Sequence, residues 1–372
     1  MVEGEGSLEE LVSGPMEGGF KGFFSTRRVL VTGHTGFKGA WLAFWLAELG
    51  ADVLGFALPP STSPDLYSAC GLDTRIQSII GDIRDAGQVR GIVDTFRPEI
   101  VFHLAAQALV GLSYQDPLGT FSTNVLGTAS VLGACAERAG VAAVVSVTSD
   151  KCYENQGLER GYVETDPMGG FDPYSASKGC AELVTSSYRR SFFEKAGIGL
   201  ASARAGNVFG GGDFTEGRLV PDCLKAIRAG EPVRLRYPES IRPWQHVLEP
   251  LSGYLLLAKK LCEAPGSFAE GWNFGPSIQD SRPVRDLVAC CYEAWGASSG
   301  SCWEQEPGDH PHEAALLRLD SAKARSGLGW TPSWGMEEAV RHTVEWHKLF
   351  LAGGDLASLM RRQIESHGAG HA

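Results

Sequence analysis

The stretch Arg28–Leu58, RVLVTGHTGFKGAWLAFWLAELGADVLGFAL, decides the fold. RVLVTG reads as a short strand apolar on both faces, FKGAWLAFWLAELG as a helix closed by Gly50, and DVLGFAL as a second strand. Parallel strands joined this way need a right-handed crossover, so the unit is βαβ. Gly33, Gly36 and Gly39 stand between the first strand and the helix. Glycines there permit a tight turn and let backbone amides at a helix N-terminus approach a pyrophosphate, whose charge the helix dipole favours.

The alternation continues outward. IQSIIGDI, EIVFHLAA, AAVVSVTS and GLASARAGNVFG read as further strands. AGQVRGIVDTFRP, a long segment inside Pro117–Gly140, and Ser175–Ala196 read as helices. Strands without a polar face belong to a sheet covered on both sides. The expected fold is therefore α/β, a doubly wound parallel (Rossmann) sheet over residues 27–209. Beyond Gly210 the chain becomes rich in Gly, Pro and Arg, and residues 210–360 read mainly as a smaller C-terminal α/β substrate domain laid over the carboxyl edge of the sheet. Residues 1–26 read as a flexible leader and 361–372 as a tail.

Composition removes several functions. The 372 residues carry a net charge of -11, which leaves no basic excess to neutralise nucleic-acid phosphates. No apolar run approaches the ~20 residues of a membrane span. The nine cysteines contain no CxxC pair and read as reduced thiols of a cytoplasmic protein. HPHEA, with His310, His312 and Glu313, suggests a metal, but Pro311 breaks helical presentation and no further ligand cluster is near, so no metal is expected.

Two stretches carry chemistry. In DPYSASKG, Tyr174 and Lys178 are four residues apart and share a helix face, where an ammonium can lower the phenol's pKa toward that of a general base. In SVTSDKC, an apolar run ends in a hydroxyl, a carboxylate and an ammonium, Ser149, Asp150 and Lys151. Ser149 brings its hydroxyl to the same sheet edge as Tyr174. Lys38 either faces a pyrophosphate or is a solvated lysine of the first turn. Asp82, after the third strand, suits an adenine contact or a turn. The second strand ends LGFALPP, with neither an acid for the NAD ribose nor an arginine for a 2′-phosphate.

VTGHTGFKG, DI, HLAAQ, NVLGT, the strand-end Ser149, YSASK and NVFG together resemble the extended short-chain dehydrogenase/reductase family, from about Arg28 to His347. The resemblance implies NAD as cofactor, held by Gly33, Thr35, Gly36, Phe37, Lys38, Gly39, Asp82, Ile83, Leu104, Ala105, Gln107, Asn124, Tyr174 and Lys178. It implies an oxidation site of Ser149, Tyr174 and Lys178. SDKCYEN, MGGFDPYSASKGCAELV, GNVFGGGDF, RPWQHV and HPHEA narrow it to the sugar-nucleotide 4,6-dehydratases, with CDP-glucose or a related sugar nucleotide as the expected partner.

Such dehydratases place Asp then Glu after the strand-end hydroxyl, whereas Asp150 and Lys151 stand here. The implied chemistry oxidises C4, eliminates water across C5 and C6, and returns the hydride to C6. We assign Asp150 as the acid toward the C6 oxygen and Lys151 as the C5 base. A lysine, ordinarily near pKa 10.4, must be brought down to serve as base, and desolvation or an aspartate that keeps its proton reconciles the pair. Asn207 is expected on the sugar nucleotide, with Arg218, Arg236 and Arg242 available to the diphosphate and His312 as a further contact. Trp244 reads as core. The helices near Leu118 and Ser175 carry apolar positions beyond what one sheet face needs, and the resemblance implies that such helices pair in a homodimer, or a tetramer built from it. A 4-epimerase on the same scaffold and a non-catalytic NAD-binding protein remain alternatives.

Overall fold

The computed structural model describes residues 19–136, 138–297, 302–308 and 314–368. Seven strands form one parallel sheet: β1 (Arg28–Thr32), β2 (Asp52–Ala57), β3 (Gln77–Ile80), β4 (Ile100–His103), β5 (Ala143–Val147), β6 (Gly199–Ala205) and β7 (Gly271–Phe274). Their order is β7-β6-β5-β4-β1-β2-β3. The order reverses between β1 and β4, which opens the crevice where doubly wound folds bind ligands. The carboxyl ends of these two strands are joined directly, Leu104 N donating to Thr32 O at 3.1 Å. β4 and β5 are buried at every position, as their unbroken apolar runs require, while the edge strand β3 leaves Ile79 and Ile80 partly exposed.

The long helices follow local signals. α1 (Phe37–Glu48) starts at Gly36, and Gly50 adopts φ 81° just beyond its end. α2 (Pro173–Tyr188) starts with Asp172 accepting from Ser175 N at 2.9 Å and with Pro173 in the first turn. It runs through a π-helical turn, Arg189–Phe193, to Ala196. The helical segment from Pro117 to Ala136 likewise contains a π-helical turn, Ser122–Gly127.

The C-terminal half departs from the expected domain plan. Leu219–Ala229, Val284–Trp295 and Met336–Leu351 do build a separate core around Cys223, Leu287, Val288 and Val340. Trp244 belongs to it, as expected, with Nε1 donating to Arg282 O. However, β7 pairs with β6, and α3 (Leu248–Glu263) packs Leu251, Leu255 and Leu261 into the core of the main sheet. The chain therefore returns to the first domain instead of staying in the second. Two ends also pack more firmly than expected. Phe20–Phe24 is a helix whose Phe24 is buried against Phe102, so the leader reading does not hold for Phe20–Phe24. Leu356–Gly368 is a helix that buries Met360 and Ile364, and Arg361 donates twice to Glu48, so residues 361–368 are no tail. Apolar faces too short to be legible alone are covered once the sheet supplies a partner.

Candidate active site at the switch point of the sheet

The glycine loop is shaped for a phosphate. Gly33 has φ +83°, and a Cβ there would meet Ala105 N at 2.7 Å. A Cβ on Gly39 would lie 2.0 Å from Gly33 O, so only glycine lets α1 pack on the turn. No side chain caps α1, which leaves its first amides available to an anion. These features fit a dinucleotide pyrophosphate. Thr35 donates to Leu58 O, tying the loop to the end of β2. The His34 ring fills the space above Gly55 and is hydrogen-bonded to Ser78.

Lys38 lies in the first turn of α1. Burial, with Lys178 and Arg218 nearby and Asp150 opposing, brings its ammonium down to about 7. That environment differs from the solvated alternative. Asp82 accepts from Arg84 N and from the Arg84 guanidinium, which is the turn role. Ile83 is buried against Gly127, so its side chain is core. Asn124, buried on the π-helical turn, accepts from Gln107 N and donates to Gln107 O and to Ser177 Oγ. Ser177 in turn donates to Tyr174 O. Asn124 thus links the loop after β4, which carries Leu104, Ala105 and Gln107, to the helix that carries Tyr174.

Ser149 caps a short 3-10 turn, Asp150–Cys152, accepting from Lys151 N at 3.2 Å and donating to Asp150 Oδ1 at 2.9 Å. Asp150 is 3% exposed, and its Oδ2 has no hydrogen-bond partner. Burial raises its carboxyl above the ordinary range, although Lys151, Ser149, Arg242 and Lys38 pull the other way. A carboxyl in this setting favours keeping its proton.

Tyr174 differs from expectation. Its phenol is pushed up to about 12 by burial, which the neighbouring Ser149 hydroxyl opposes and Asp150 reinforces. Lys178 Nζ stands 6.0 Å from the centroid of the Tyr174 ring, and burial outweighs the lowering expected of a nearby ammonium. Lys178 itself is brought down to about 8 by burial, against the pull of Cys152 and Glu182.

Among the substrate candidates, Arg218 donates to Asp213, and its charge reaches both Lys38 and Tyr174. Arg242 is buried and its charge reaches Asp150. Asn207 lies at the end of β6, where its carbonyl accepts from Gln245 N. Arg236 is exposed on the surface of the C-terminal half. His312, and the rest of the stretch His310 to Glu313, lie outside the described residues. Among the described residues no group of metal-ligating side chains occurs, and no helix is long and apolar enough to cross a membrane.

Sequence reasoning missed Tyr254. It sits on α3, fully buried, with a hydroxyl that has no hydrogen-bond partner among the described residues and with Asp150 and Tyr174 as neighbours. Only its place in a helix from the other half of the chain brings it here. Glu182 and Arg204 were missed as well, although Glu182 stands one turn beyond Lys178.

A dinucleotide crevice with a strand-end hydroxyl, a tyrosine and a lysine defines an enzyme of the short-chain dehydrogenase/reductase class. The chain belongs to the family described as GDP-mannose 4,6 dehydratase, whose model matches residues 30–343. Within it, the chain is 49% identical over 352 residues to a CDP-glucose 4,6-dehydratase of Salmonella typhimurium, covering 93% of this chain and 98% of that one. It is 31% identical to a dTDP-glucose 4,6-dehydratase of Streptomyces griseus, over 87% of this chain and 94% of the relative. Among solved structures, the UDP-glucose 4-epimerase of Thermus thermophilus in complex with NAD is 26% identical and superposes with a TM-score of 0.72, covering 86% of this chain and 99% of that one.

Proposed function

We propose that the chain dehydrates CDP-D-glucose to CDP-4-keto-6-deoxy-D-glucose, with NAD held in the crevice. The observation that carries this reading is the buried Asp150 beside Ser149 and Tyr174, which gives the oxidation site of a dehydrogenase a proton donor as well. The 49% identity to a CDP-glucose 4,6-dehydratase supports the substrate.

Gly33, Thr35, Gly36, Phe37, Lys38 and Gly39 would hold the pyrophosphate. Asp82 and the main chain of Ile83 would face the adenine, Leu104, Ala105 and Gln107 would line the crevice with Asn124 behind them, and Tyr174 and Lys178 would face the nicotinamide ribose. NAD supplies the acceptance of hydride from C4 and its return to C6. Tyr174, acting as its phenolate beside the Ser149 hydroxyl, takes the C4 hydroxyl proton as the ketone forms. The ketone acidifies C5–H, and Lys151 removes that proton. Asp150 gives its proton to the C6 hydroxyl, which leaves as water. Lys151 returns its proton to C5, and the proton held on Tyr174 replaces the one that Asp150 spent. Asn207, Arg218, Arg236 and Arg242 serve the nucleotide diphosphate and sugar.

The enzyme acts in the cytoplasm as a homodimer. Leu118, Leu126, Leu183 and Phe192 are 82%, 62%, 63% and 52% exposed on adjacent helices, an apolar face that a second copy would cover. Incubating the protein and NAD separately with CDP-, dTDP-, UDP- and GDP-glucose, and reading water loss by mass, tests the function. Product from CDP-glucose supports it, while intact or epimerised sugar overturns it.

A further inference from the structure

One buried ion pair lies behind the proposed catalytic groups and takes no part in the chemistry described above. Arg204 on β6 meets Glu182 on α2 at 2.8 Å, and both are about 95% buried. Burial alone would raise the Glu182 carboxyl, but Arg204 and the hydroxyls of Ser202 and Thr148 outweigh it and hold the group ionised. Each partner also reaches one end of the segment that carries the site. Thr148, immediately before Ser149, donates to Glu182 Oε1. Tyr153, two residues after Lys151, accepts from Arg204 Nη1 at 2.7 Å and donates to Asn273 Oδ1 at 2.7 Å. The Tyr153 ring is stacked on Tyr162, with centroids 5.3 Å apart, and the Arg204 guanidinium lies over the same Tyr153 ring at 5.2 Å from its centroid.

Glu182 also stands one helical turn from Lys178, so the two share a face of α2. Cys152 also pulls Lys178 up, but its thiol is pushed well above the ordinary range by burial and stays neutral, and the Lys38 ammonium, the His103 ring and the Tyr174 phenol that also face Lys178 supply no negative charge. Glu182 is therefore the anion that acts on Lys178 from within the fold.

We propose that the Glu182–Arg204 pair is a positioning device for the site: it fixes both ends of Ser149–Lys151 and keeps Lys178 charged. A buried pair is weak evidence for stability, since apolar replacements of similar volume are often as stable, so its retention needs another reason. Clamping a three-residue segment at Thr148 and Tyr153 gives that reason, because small misplacements of reacting groups cost large factors in rate.

The inference rests on the function proposed above for Ser149, Asp150, Lys151 and Lys178, and its test separates the two. Wild type, Glu182→Gln and Tyr153→Phe would be compared in turnover of CDP-glucose with NAD across pH, and in amide hydrogen exchange. For Glu182→Gln we expect kcat to fall by about 10-fold with KM unchanged. Its alkaline limb should move down by about one pH unit, because Lys178 loses its anion. Exchange should quicken at Lys151 and Cys152 while the β4 and β5 amides keep their protection. If Glu182→Gln does not fold, Tyr153→Phe keeps the stacking and removes only the hydroxyl link, with the same expected fall in kcat and local loss of protection.

An inactive wild type overturns the function, and the exchange data then judge the clamp alone. Uniformly faster exchange with an unmoved pH profile, or a variant with normal kcat and normal exchange at 150–153, overturns the positioning role.

Discussion

The Lys38 ammonium lies 5.9 Å from the centroid of the Tyr254 ring, which joins the first turn after the glycine loop to a helix from the far half of the chain. The packing there keeps Lys38 out of water. Its ammonium is brought down to about 7 by burial and by the neighbouring cations Lys178 and Arg218. In the unfolded chain a lysine binds its proton up to about pH 10.4. Below pH 7 the folded protein therefore bears the full cost of the buried charge. Between about pH 7 and pH 10 that cost falls, because the unfolded chain then binds more protons than the folded one and stability rises with pH.

Lys38→Met should accordingly stabilise the ligand-free protein by about 1–3 kcal/mol at about pH 6.5, with the gain largely gone near pH 10. Denaturant midpoints at the two pH values measure it. Equal gains at both would mean that lost charge is not the cause.

Asp150→Asn and Lys151→Ala should separate the steps of elimination. With Lys151→Ala, exchange of the C5 proton with solvent should fall by about 10²-fold or more, while sugar-nucleotide binding is kept. With Asp150→Asn, C5 exchange should persist while water loss falls by a similar factor, since the asparagine has no acidic proton to give. Deuterium incorporation and product mass, read on the same samples, distinguish the two. Normal C5 exchange in Lys151→Ala would remove that residue from the base role.

Gly39→Ala tests the cradle. The added methyl would sit 2.0 Å from the Gly33 carbonyl, a backbone atom that cannot swing aside. The turn must open, so NAD affinity should drop by at least about 10-fold, because the amides no longer converge on the phosphate. Calorimetric titration with NAD measures the loss. A methyl at Gly91, where nothing lies within 4 Å, should leave affinity unchanged.

The apolar face at Leu126 and Leu183 should govern association. Asp at both positions puts charge where a second copy would pack, and light scattering should then find monomer where wild type is dimeric. A wild type that is already monomeric at working concentration would end the dimer proposal.

What the sequence alone determined is local. The βαβ unit, the glycine turn and the shared face of Tyr174 and Lys178 follow from periodicity and turn chemistry within about 30 residues, and the structure reproduces them. What the tertiary structure decided depends on burial and on residues far apart in the chain. Spacing alone suggested that Lys178 would lower the Tyr174 phenol, whereas burial drives that phenol up and Ser149 opposes the rise. Residues 210–360 read mainly as a second domain, whereas α3 and β7 return to the first sheet and bring Tyr254 beneath the site. Glu182 and Arg204 meet only because α2 packs against β6. A side chain's charge state is set by the solvent it loses and the partners it gains, and neither is written into the residues beside it.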